Sequence, residues 1–307
     1  MKIVVLGAGA MGSIFGGHLA EAGEDVILLD VWREHVEAIN NKGLHITGVS
    51  GDRYIRVRAT TDAKDVGTAD LVILAVKAYN TKDAITTYRS IFTPNTILLT
   101  IQNGLIDVKM LEQLSGTSRV LVGVTGHGAT MLGPGEVYHA GRGKTVIGDP
   151  RGGITEEVKH VVEILNRANL EAEASPDVRG VVWTKLMANI GINPVTALTR
   201  LRNGEIVENP ETRAIMEMAV REAYEVAKTL KIKLLVDDPI AYVIDVAKKT
   251  ATNKSSMLQD VERQRPTEID VINGAVVRIG KQIGVSVTVN EILTNLIKGL
   301  ERSYLKK

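Results

Sequence analysis

The apolar positions of the chain follow two different periods, and the change falls near residue 174. The first part contains short uninterrupted apolar runs at 2–6, 26–29, 71–76 and 96–101. Such runs are typical of strands buried on both faces of a parallel sheet. After Ser175-Pro176-Asp177 the apolar positions recur with helical spacing, and no clear strand run follows. The pattern therefore predicts an α/β domain over 1–174 and an all-α domain over 175–307.

The first thirty residues have the pattern of a Rossmann βαβ unit. A strand at 2–6 passes into a G-x-G-x-x-G loop, and a helix is predicted over 13–22, ended by Gly23. The first glycine permits a tight turn, the second lets backbone approach a pyrophosphate, and the third lets the helix pack closely on the strand. The helix N-terminus would face the anion. The predicted pyrophosphate loop consists of Gly7, Ala8, Gly9, Ala10, Met11 and Gly12.

Asp30 ends the second predicted strand, at 26–29. An acid at this place usually accepts hydrogen bonds from the adenine ribose 2′-hydroxyl and repels a 2′-phosphate, which favours NADH. The alternative is a solvated acid at a strand end. Arg33 lies close enough along the chain to support a 2′-phosphate, so NADPH stays open.

Polar residues follow the next two predicted strands. Lys77 comes directly after the run at 71–76, and Asn103 follows the run at 96–101. Because ligands of open parallel sheets lie beyond the carboxyl ends of the strands, both are expected on the rim with the glycine loop. Individually, Lys77 could be a surface lysine and Asn103 part of a tight turn.

Residues 120–149 are rich in glycine and β-branched residues, and predict strands and hairpins that extend the sheet, with Ala129 near its rim. His127 is an acid–base candidate here, although a loop histidine is more often packed or hydrogen-bonded. A helix over 155–167 and a strand over 170–174 complete the α/β domain.

The helical half contains its own polar residues. Lys185, Asn189 and Asn193 are spaced to share one stripe of a helix, with Pro194 perturbing that helix beyond them. They could form the wall of an anionic substrate site or a solvated helix face. Similarly, the hydroxyls at 255–256 could bind a carboxylate or cap a helix, and the acids at 268–270 could simply favour a helix start.

Two helix starts are also predicted in this half. Asn209-Pro210 is typical of a capped helix, whose apolar face is expected to comprise Ile215, Met218, Ala219, Ala223, Val226 and Leu230. The residues at 288–291 have the pattern of a capping box before the last helix.

Composition excludes several classes of function. The chain has 307 residues, 37 basic and 36 acidic, and a net charge of +1, so no overall field favours nucleic acid. It has no cysteine, which excludes disulfides and thiolate chemistry and is compatible with the cytoplasm. Neither a membrane span, a signal peptide nor a metal-ligand cluster is predicted.

The sequence resembles the ketopantoate reductase family, the 2-dehydropantoate 2-reductases of pantothenate and coenzyme A synthesis. The likeness extends from the glycine loop to the final helix and depends most on two long segments, KLMANIGINPVTAL from Lys185 and SSMLQDVERQRPTEIDVINGAV from Ser255. Shorter matches are GAGAMG, VKAYNT around Lys77, QNG around Asn103 and NGE from Asn203. The resemblance implies a Rossmann domain followed by a helical domain of the 6-phosphogluconate dehydrogenase C-terminal type.

The resemblance also implies roles for individual residues. Lys185 would donate a proton to the C2 carbonyl oxygen of 2-dehydropantoate while NAD(P)H delivers hydride. Asn103 would lie between nicotinamide and substrate. The substrate's hydroxyl and carboxylate would be held by Asn189, Asn193, Asn203 and Ser256, and the cofactor would be contacted by Lys77, Ala129 and Glu268. The expected partner is a small 2-oxo acid, with a homodimer as a further option, and no nucleic acid or membrane.

One departure from the family and two rival functions stay open. Family members commonly use NADPH and carry a basic residue after the second strand, whereas this chain has Asp30. That departure also admits a paralogue acting on another 2-oxo acid. The rivals are a β-hydroxyacid dehydrogenase of the 6-phosphogluconate type and a non-catalytic regulator that senses dinucleotide. The segments around Ser256 and Glu268 disfavour the first, and the intact lysine, asparagine and glutamate set disfavours the second.

Overall fold

The main sheet of the protein has eight strands, and a computed structural model describes residues 1–305. Its strand order is β12-β11-β8-β7-β6-β1-β2-β5. Only the β11–β8 pairing is antiparallel. The strands are β1 Lys2–Leu6, β2 Asp25–Leu29, β5 Arg58–Thr60, β6 Leu71–Leu74, β7 Ile97–Thr100, β8 Val120–Thr125, β11 Thr145–Gly148 and β12 Ala172–Ala174. The buried parallel strands predicted from the apolar runs are confirmed.

A second sheet of four strands, in the order β4-β3-β10-β9, corrects one expectation. Its strands are β3 Leu44–Gly48, β4 Arg53–Ile55, β9 Gly128–Gly133 and β10 Glu136–Gly141. The prediction that residues 120–149 all extend the main sheet is therefore wrong, since only β8 and β11 do so. The hairpin of β9 and β10 instead pairs with β3, where Val137 joins Leu44 and Ile46 in the buried core. Sequence periodicity cannot reveal such a long-range pairing.

Five helices accompany these sheets. They are α1 Ala10–Glu21, α2 Arg33–Lys42, α3 Thr81–Thr87, α4 Val108–Ser115 and α5 Glu156–Arg167. Gly23, at a φ of +88°, follows the end of α1 as predicted. The small sheet packs on α1 because Gly17 leaves room for it. A Cβ at Gly17 would lie 2.7 Å from Ile46 and 3.0 Å from Leu44.

The remainder of the chain is helical, as predicted. Its helices are α6 Val178–Thr199, α7 Glu205–Glu208, α8 Pro210–Thr229, α9 Pro239–Lys249, α10 Ser256–Glu262, α11 Asn273–Ile283 and α12 Thr288–Tyr304. The chain divides into two compact units. The first contains Met1–Gln102 and Asp107–Val178, and the second contains Asn103–Ile106 and the chain from Arg179 onward. Within residues 1–305, every helix is too short or too polar to cross a lipid bilayer.

Two local predictions in the helical unit are wrong. In α8, Ile215 and Met218 are 37% and 45% exposed, because the buried face is rotated and contains Met216 and Val220 instead. The residues at 288–291 do not form a capping box, because α12 begins one residue too early for Thr288 to cap it. The first turn of α12 is capped from another helix. The Glu222 carboxylate accepts hydrogen bonds from the Val289 and Asn290 backbone amides at 2.8 and 3.0 Å.

Pro194 lies inside α6 and leaves a backbone acceptor without its helical donor. That acceptor, the Ile190 carbonyl oxygen, instead receives a hydrogen bond of 3.3 Å from Asn273 Nδ2. Asn273 Nδ2 also donates to Asn290 Oδ1 at 3.0 Å, and both asparagines are fully buried. A buried series of hydrogen bonds therefore fixes the part of α6 that follows Asn189.

Replacing Asn273 with alanine is expected to lower the free energy of unfolding by about 1–3 kcal/mol. The change leaves the Ile190 carbonyl and the Asn290 amide oxygen buried without this donor. Urea denaturation followed by circular dichroism measures the effect. Asn295→Ala, on the exposed face of α12, is the control and should change stability by less than about 0.5 kcal/mol. Equal stabilities for the two variants would contradict the assigned role of Asn273.

Candidate active site

The glycine loop of the first unit has the geometry that its sequence predicts. Gly7 has a φ of +99°, and a Cβ there would lie 2.7 Å from the Val76 backbone nitrogen. A Cβ at Gly12 would overlap the Gly7 carbonyl oxygen. The fold itself therefore requires glycine at both positions, first for the turn and then for close packing of α1 on β1.

Gly9 differs from its two neighbours in the motif. Its φ is −60°, and no described atom within 4 Å would meet a Cβ built on it. The fold does not require glycine here, so the open space suits the close approach of a ligand to backbone. Gly9 is also the N-cap position of α1, where no side chain caps the helix. This uncapped N-terminus, with no acid in its first turn, fits the pyrophosphate of a dinucleotide.

Asp30 is held by two backbone amides of the first unit. Its Oδ2 accepts a hydrogen bond from the Ala8 amide at 2.6 Å, and its Oδ1 accepts one from the Trp32 amide at 2.9 Å. The carboxylate thus links the end of β2 to the glycine loop. It is half-buried, which differs from the solvated strand-end acid considered as an alternative. Arg33, the first residue of α2, is exposed.

Lys77 and Ala129 lie on different elements of the first unit. Lys77 follows β6 and precedes a short 3₁₀ turn at Ala78–Asn80. Since β6 lies beside β1 and runs parallel to it, Lys77 and the glycine loop are at the same edge of the main sheet. Ala129 lies on β9 of the small sheet, opposite His139, rather than on a strand of the main sheet. The cofactor contacts of Lys77 and Ala129 stay predictions.

His127 is a packed residue in a buried group of histidines. Its Nδ1 lies 3.0 Å from His139 Nε2, and its ring makes an edge contact with Phe15 at 5.9 Å. Burial lowers the pKa of His127, and it lowers the pKa of His139 to about 4. The packed alternative therefore describes His127. Among residues 1–305, no group of three or more histidine, aspartate or glutamate side chains is arranged to hold a metal ion.

Lys185 and Asn103 meet in the second unit. The Lys185 ammonium donates a hydrogen bond of 2.9 Å to Asn103 Oδ1, although 82 positions separate the two residues. The segment Asn103–Ile106 is held by the Leu105 amide, which donates to the Val271 carbonyl at 2.8 Å. Gly104 makes this approach possible, since it has a φ of +84° and a Cβ on it would overlap the Val271 oxygen.

The surroundings of Lys185 favour loss of its proton near neutral pH. The side chain is half-buried, and burial lowers its pKa from 10.5 to about 8. The buried Glu268 carboxylate opposes this shift through its negative charge. An ammonium with a pKa near the working pH is suited to act as a general acid.

The predicted asparagine stripe on α6 ends beside a pair of hydroxyls. Asn189 is half-buried and Asn193 is buried, one and two turns after Lys185. One turn later, Thr196 Oγ1 lies 2.6 Å from Ser255 Oγ. Sequence analysis did not single out Thr196, although its place in the stripe beyond Asn193 was a usable signal.

Ser255 and Ser256 have different roles. Ser255 is buried and caps α10, with its Oγ accepting from the Leu258 amide at 3.1 Å, as the capping alternative predicts. Ser256 is exposed and leaves its hydroxyl accessible to a ligand. The capping prediction is therefore confirmed for Ser255, and ligand binding by Ser256 stays a prediction.

Asn203 presents an orphaned buried atom. Its Nδ2 donates to Thr250 Oγ1 at 2.9 Å, and its backbone amide donates to the Asn253 carbonyl at 3.1 Å. Its Oδ1 is buried without a hydrogen-bond partner among the described residues. A buried amide oxygen of this kind is suited to accept a hydrogen bond from a ligand hydroxyl.

Two family models match the chain. The model described as "Ketopantoate reductase PanE/ApbA" matches residues 3–152, and the one described as "Ketopantoate reductase PanE/ApbA C terminal" matches residues 177–301. The chain belongs to the ketopantoate reductase family. The family resemblance seen in the sequence is confirmed, and so is the predicted pairing of a Rossmann domain with a helical one.

Individual relatives cover nearly the whole chain. A 2-dehydropantoate 2-reductase of Pyrococcus horikoshii is 38% identical over 301 residues, covering 98% of both chains. A PanE/ApbA family ketopantoate reductase of Ralstonia eutropha has a similar crystal structure, with a TM-score of 0.91, 34% identity and 99% coverage of both chains. A D-mandelate dehydrogenase solved with NADH and anilino(oxo)acetate has a TM-score of 0.93 at 29% identity, with 100% coverage of both chains. Proteins similar to this chain are thus named for different substrates, 2-dehydropantoate and D-mandelate.

Proposed function

We propose that the protein reduces 2-dehydropantoate to pantoate with NAD(P)H, as a step of pantothenate and coenzyme A synthesis. The observation that carries the proposal is the Lys185 ammonium, which has a lowered pKa and donates to Asn103. The names of the curated relatives supply the substrate. Reduced nicotinamide, when bound, supplies a hydride to C2 of the 2-oxo acid.

Lys185 supplies the proton that completes the reduction. As C2 becomes tetrahedral, negative charge develops on its oxygen, and the ammonium stabilises that charge and then transfers a proton to it. Asn103 Oδ1 orients the ammonium by accepting a hydrogen bond from it. The nearby Glu268 carboxylate keeps the charged form of Lys185 accessible despite burial.

The polar groups of the second unit match the remaining atoms of the substrate. Because Asn203 Nδ2 is engaged by Thr250, the orphaned Oδ1 is left to accept a hydrogen bond from the substrate hydroxyl. The side chains of Asn189, Asn193 and Ser256 supply donors for its carboxylate. This assignment accounts for an amide oxygen that is otherwise buried at a cost of about 1–3 kcal/mol.

The cofactor assignment follows from the first unit. Residues 7–12 would hold the pyrophosphate, and the family resemblance implies Lys77, Ala129 and Glu268 as further cofactor contacts. Asp30 favours NADH, because its carboxylate would repel a 2′-phosphate. The exposed Arg33 opposes this preference, because its positive charge would attract a 2′-phosphate and allow some reduction with NADPH.

Asp30→Asn should shift the preference toward NADPH. The amide keeps the size of the side chain and an acceptor oxygen, but it removes the negative charge that opposes a 2′-phosphate. We expect the ratio of kcat/KM for NADH to that for NADPH to fall about tenfold or more, the scale of a lost charged interaction. The control is Glu34→Gln, which removes the charge of an exposed acid in the first turn of α2. It shows the effect of losing one negative charge near the same helix. An unchanged ratio in Asp30→Asn would remove Asp30 from the ribose site.

A second candidate function is reduction of another 2-oxo acid. The D-mandelate dehydrogenase structure favours it, since that protein superimposes with a TM-score of 0.93 and was solved with NADH. Steady-state reduction of 2-dehydropantoate and of an aryl 2-oxo acid, each with NADH and NADPH, separates the two candidates. A kcat/KM at least about tenfold higher for 2-dehydropantoate supports the proposal. Turnover confined to aryl 2-oxo acids, or to oxidation of 3-hydroxy acids by NAD+ or NADP+, would overturn it, and binding without turnover would favour a regulator.

We also propose that the protein is located in the cytoplasm and forms a homodimer. The absence of cysteine from the chain supports the first. Exposed Ile215 and Met218 on α8 support the second, since exposed apolar side chains are common at protein interfaces. Light scattering after size-exclusion chromatography measures the assembly directly.

A further inference from the structure

Two large apolar side chains are exposed directly after Asp30. Val31 is 76% exposed and Trp32 is 38% exposed, whereas the strand residues before Asp30 are buried. Trp32 is the N-cap residue of α2, and its backbone amide donates to Asp30 Oδ1. The backbone of Trp32 is thus hydrogen-bonded to the carboxylate that would hold the adenine ribose.

One face of the Trp32 indole is covered by a buried histidine. The rings of Trp32 and His35 are stacked, with centroids 5.2 Å apart and planes at 14°. His35 itself is fully buried. The stack therefore holds the indole against the body of the first unit while 38% of the residue stays open to solvent.

His35 is held in one orientation by groups on other elements. Its Nδ1 accepts a hydrogen bond of 2.8 Å from the Gly135 amide, so its proton lies on Nε2, 3.5 Å from Ser13 Oγ. Ser13 in turn donates to the Ala8 carbonyl at 2.8 Å. Burial lowers the pKa of His35, and the Asp30 carboxylate opposes that shift. The indole thus stacks on a support linked to the glycine loop.

We propose that the open face of Trp32 stacks on the adenine ring of the bound dinucleotide. The proposal extends the proposed function, because it assumes a nucleotide whose ribose is held by Asp30 and whose pyrophosphate is held by residues 7–12. Adenine is attached to that ribose, so the residues following Asp30 are close enough to contact it. A base stacked on an aromatic side chain gains affinity without hydrogen-bond readout. The alternative is that Trp32 only covers His35.

Fluorescence of the unmodified protein tests the contact. The chain has two tryptophans, Trp32 and the buried Trp183 of the second unit. ADP-ribose should quench the emission, whereas nicotinamide mononucleotide, which lacks adenine, should not. In Trp32→Phe the quenching by ADP-ribose should disappear, because Trp183 is the only indole left. Persistence of the full quenching in Trp32→Phe would overturn the proposal.

Affinities separate a stacking role from a covering role. Trp32→Ala should raise the Kd for both NADH and ADP-ribose about five- to tenfold, at the lower end of base–aromatic stacking. Trp32→Phe should raise both by about twofold. The control Tyr138→Ala removes an aromatic side chain of similar exposure, 42%, from the small sheet and should leave both unchanged.

The possible failures are distinguishable from one another. If Trp32→Ala lowers the melting temperature but binds both nucleotides with wild-type affinity, the indole only covers His35 and the proposal is wrong. If calorimetry shows that the wild-type protein binds neither NADH nor ADP-ribose, both the proposed function and the stacking proposal fail. If NADH binds and ADP-ribose leaves Trp32 emission unchanged, the stacking contact alone is refuted.

Discussion

Replacing Lys185 with alanine is expected to lower kcat for 2-dehydropantoate by about 100- to 10,000-fold, the contribution usual for a general acid. In the proposed function the ammonium donates a proton to the developing alkoxide, and the variant has no donor at that place. NADH should still bind with near wild-type affinity, because the glycine loop and Asp30 belong to the first unit. Stopped-flow turnover and calorimetric titration with NADH measure the two quantities separately.

The same assignment predicts a pH dependence. Burial lowers the pKa of Lys185 to about 8, and only the protonated form can donate. The rate of reduction should therefore be highest below pH 8 and should decline as the pH rises through that value. Lys185→Arg should keep only a residual rate, with no decline near pH 8, since a guanidinium can stabilise negative charge but does not lose its proton in proteins. The control Lys248→Ala, at an exposed position of α9, should keep both the rate and the profile. A wild-type rate in Lys185→Ala would refute the role of Lys185.

Alanine at Gly12 should destabilise the fold, whereas alanine at Gly9 should change its stability little. A Cβ at Gly12 would overlap the Gly7 carbonyl oxygen, so Gly12→Ala should lower stability by about 2–3 kcal/mol and abolish NADH binding. Gly9 has open space around it, so Gly9→Ala should stay within about 1 kcal/mol of the wild-type stability. Its affinity for NADH should nevertheless fall about tenfold or more, because the new methyl group would occupy the approach to the backbone.

Thermal unfolding and NADH titration of both variants check these expectations. Gly299→Ala, at a helix position where a Cβ would also meet open space, is the control and should bind NADH normally. Undiminished NADH affinity in Gly9→Ala would show that the pyrophosphate does not approach this backbone. A stable Gly12→Ala would mean that α1 can shift away from β1 at little cost.

Local pattern was sufficient to predict several elements of the fold. The strand Lys2–Leu6 and the helix after Thr155 follow from uninterrupted apolar runs and from capping residues, which act over a few positions. The pairing of β10 with β3 was not predictable, because it depends on contacts between positions about 90 residues apart. The cap of α12 was missed for the same reason, since Glu222 belongs to α8.

The site was predictable in its residue types and less so in its assembly. Spacing placed Lys185 and the asparagines on one stripe, and family resemblance assigned their roles. Neither indicated that Asn103, three residues beyond β7, lies within the helical unit. That placement depends on the hydrogen bond from Leu105 to Val271 and on the positive φ of Gly104. The support of Trp32 by His35 was also missed, because it requires a backbone amide from the distant Gly135.

The four residues Asn103–Ile106 set a limit on how this protein can be divided by recombination. The chain enters the helical unit for these residues, returns to the α/β unit, and leaves it for good only after Val178. A fragment starting at Arg179 would contain Lys185 but lack the amide that orients its ammonium. A chimaera that exchanges the helical half of two homologues at a single crossover would likewise combine a lysine from one parent with an asparagine from the other. Taking the whole second unit from one parent therefore requires two crossovers in the middle of the α/β half as well as one at its end.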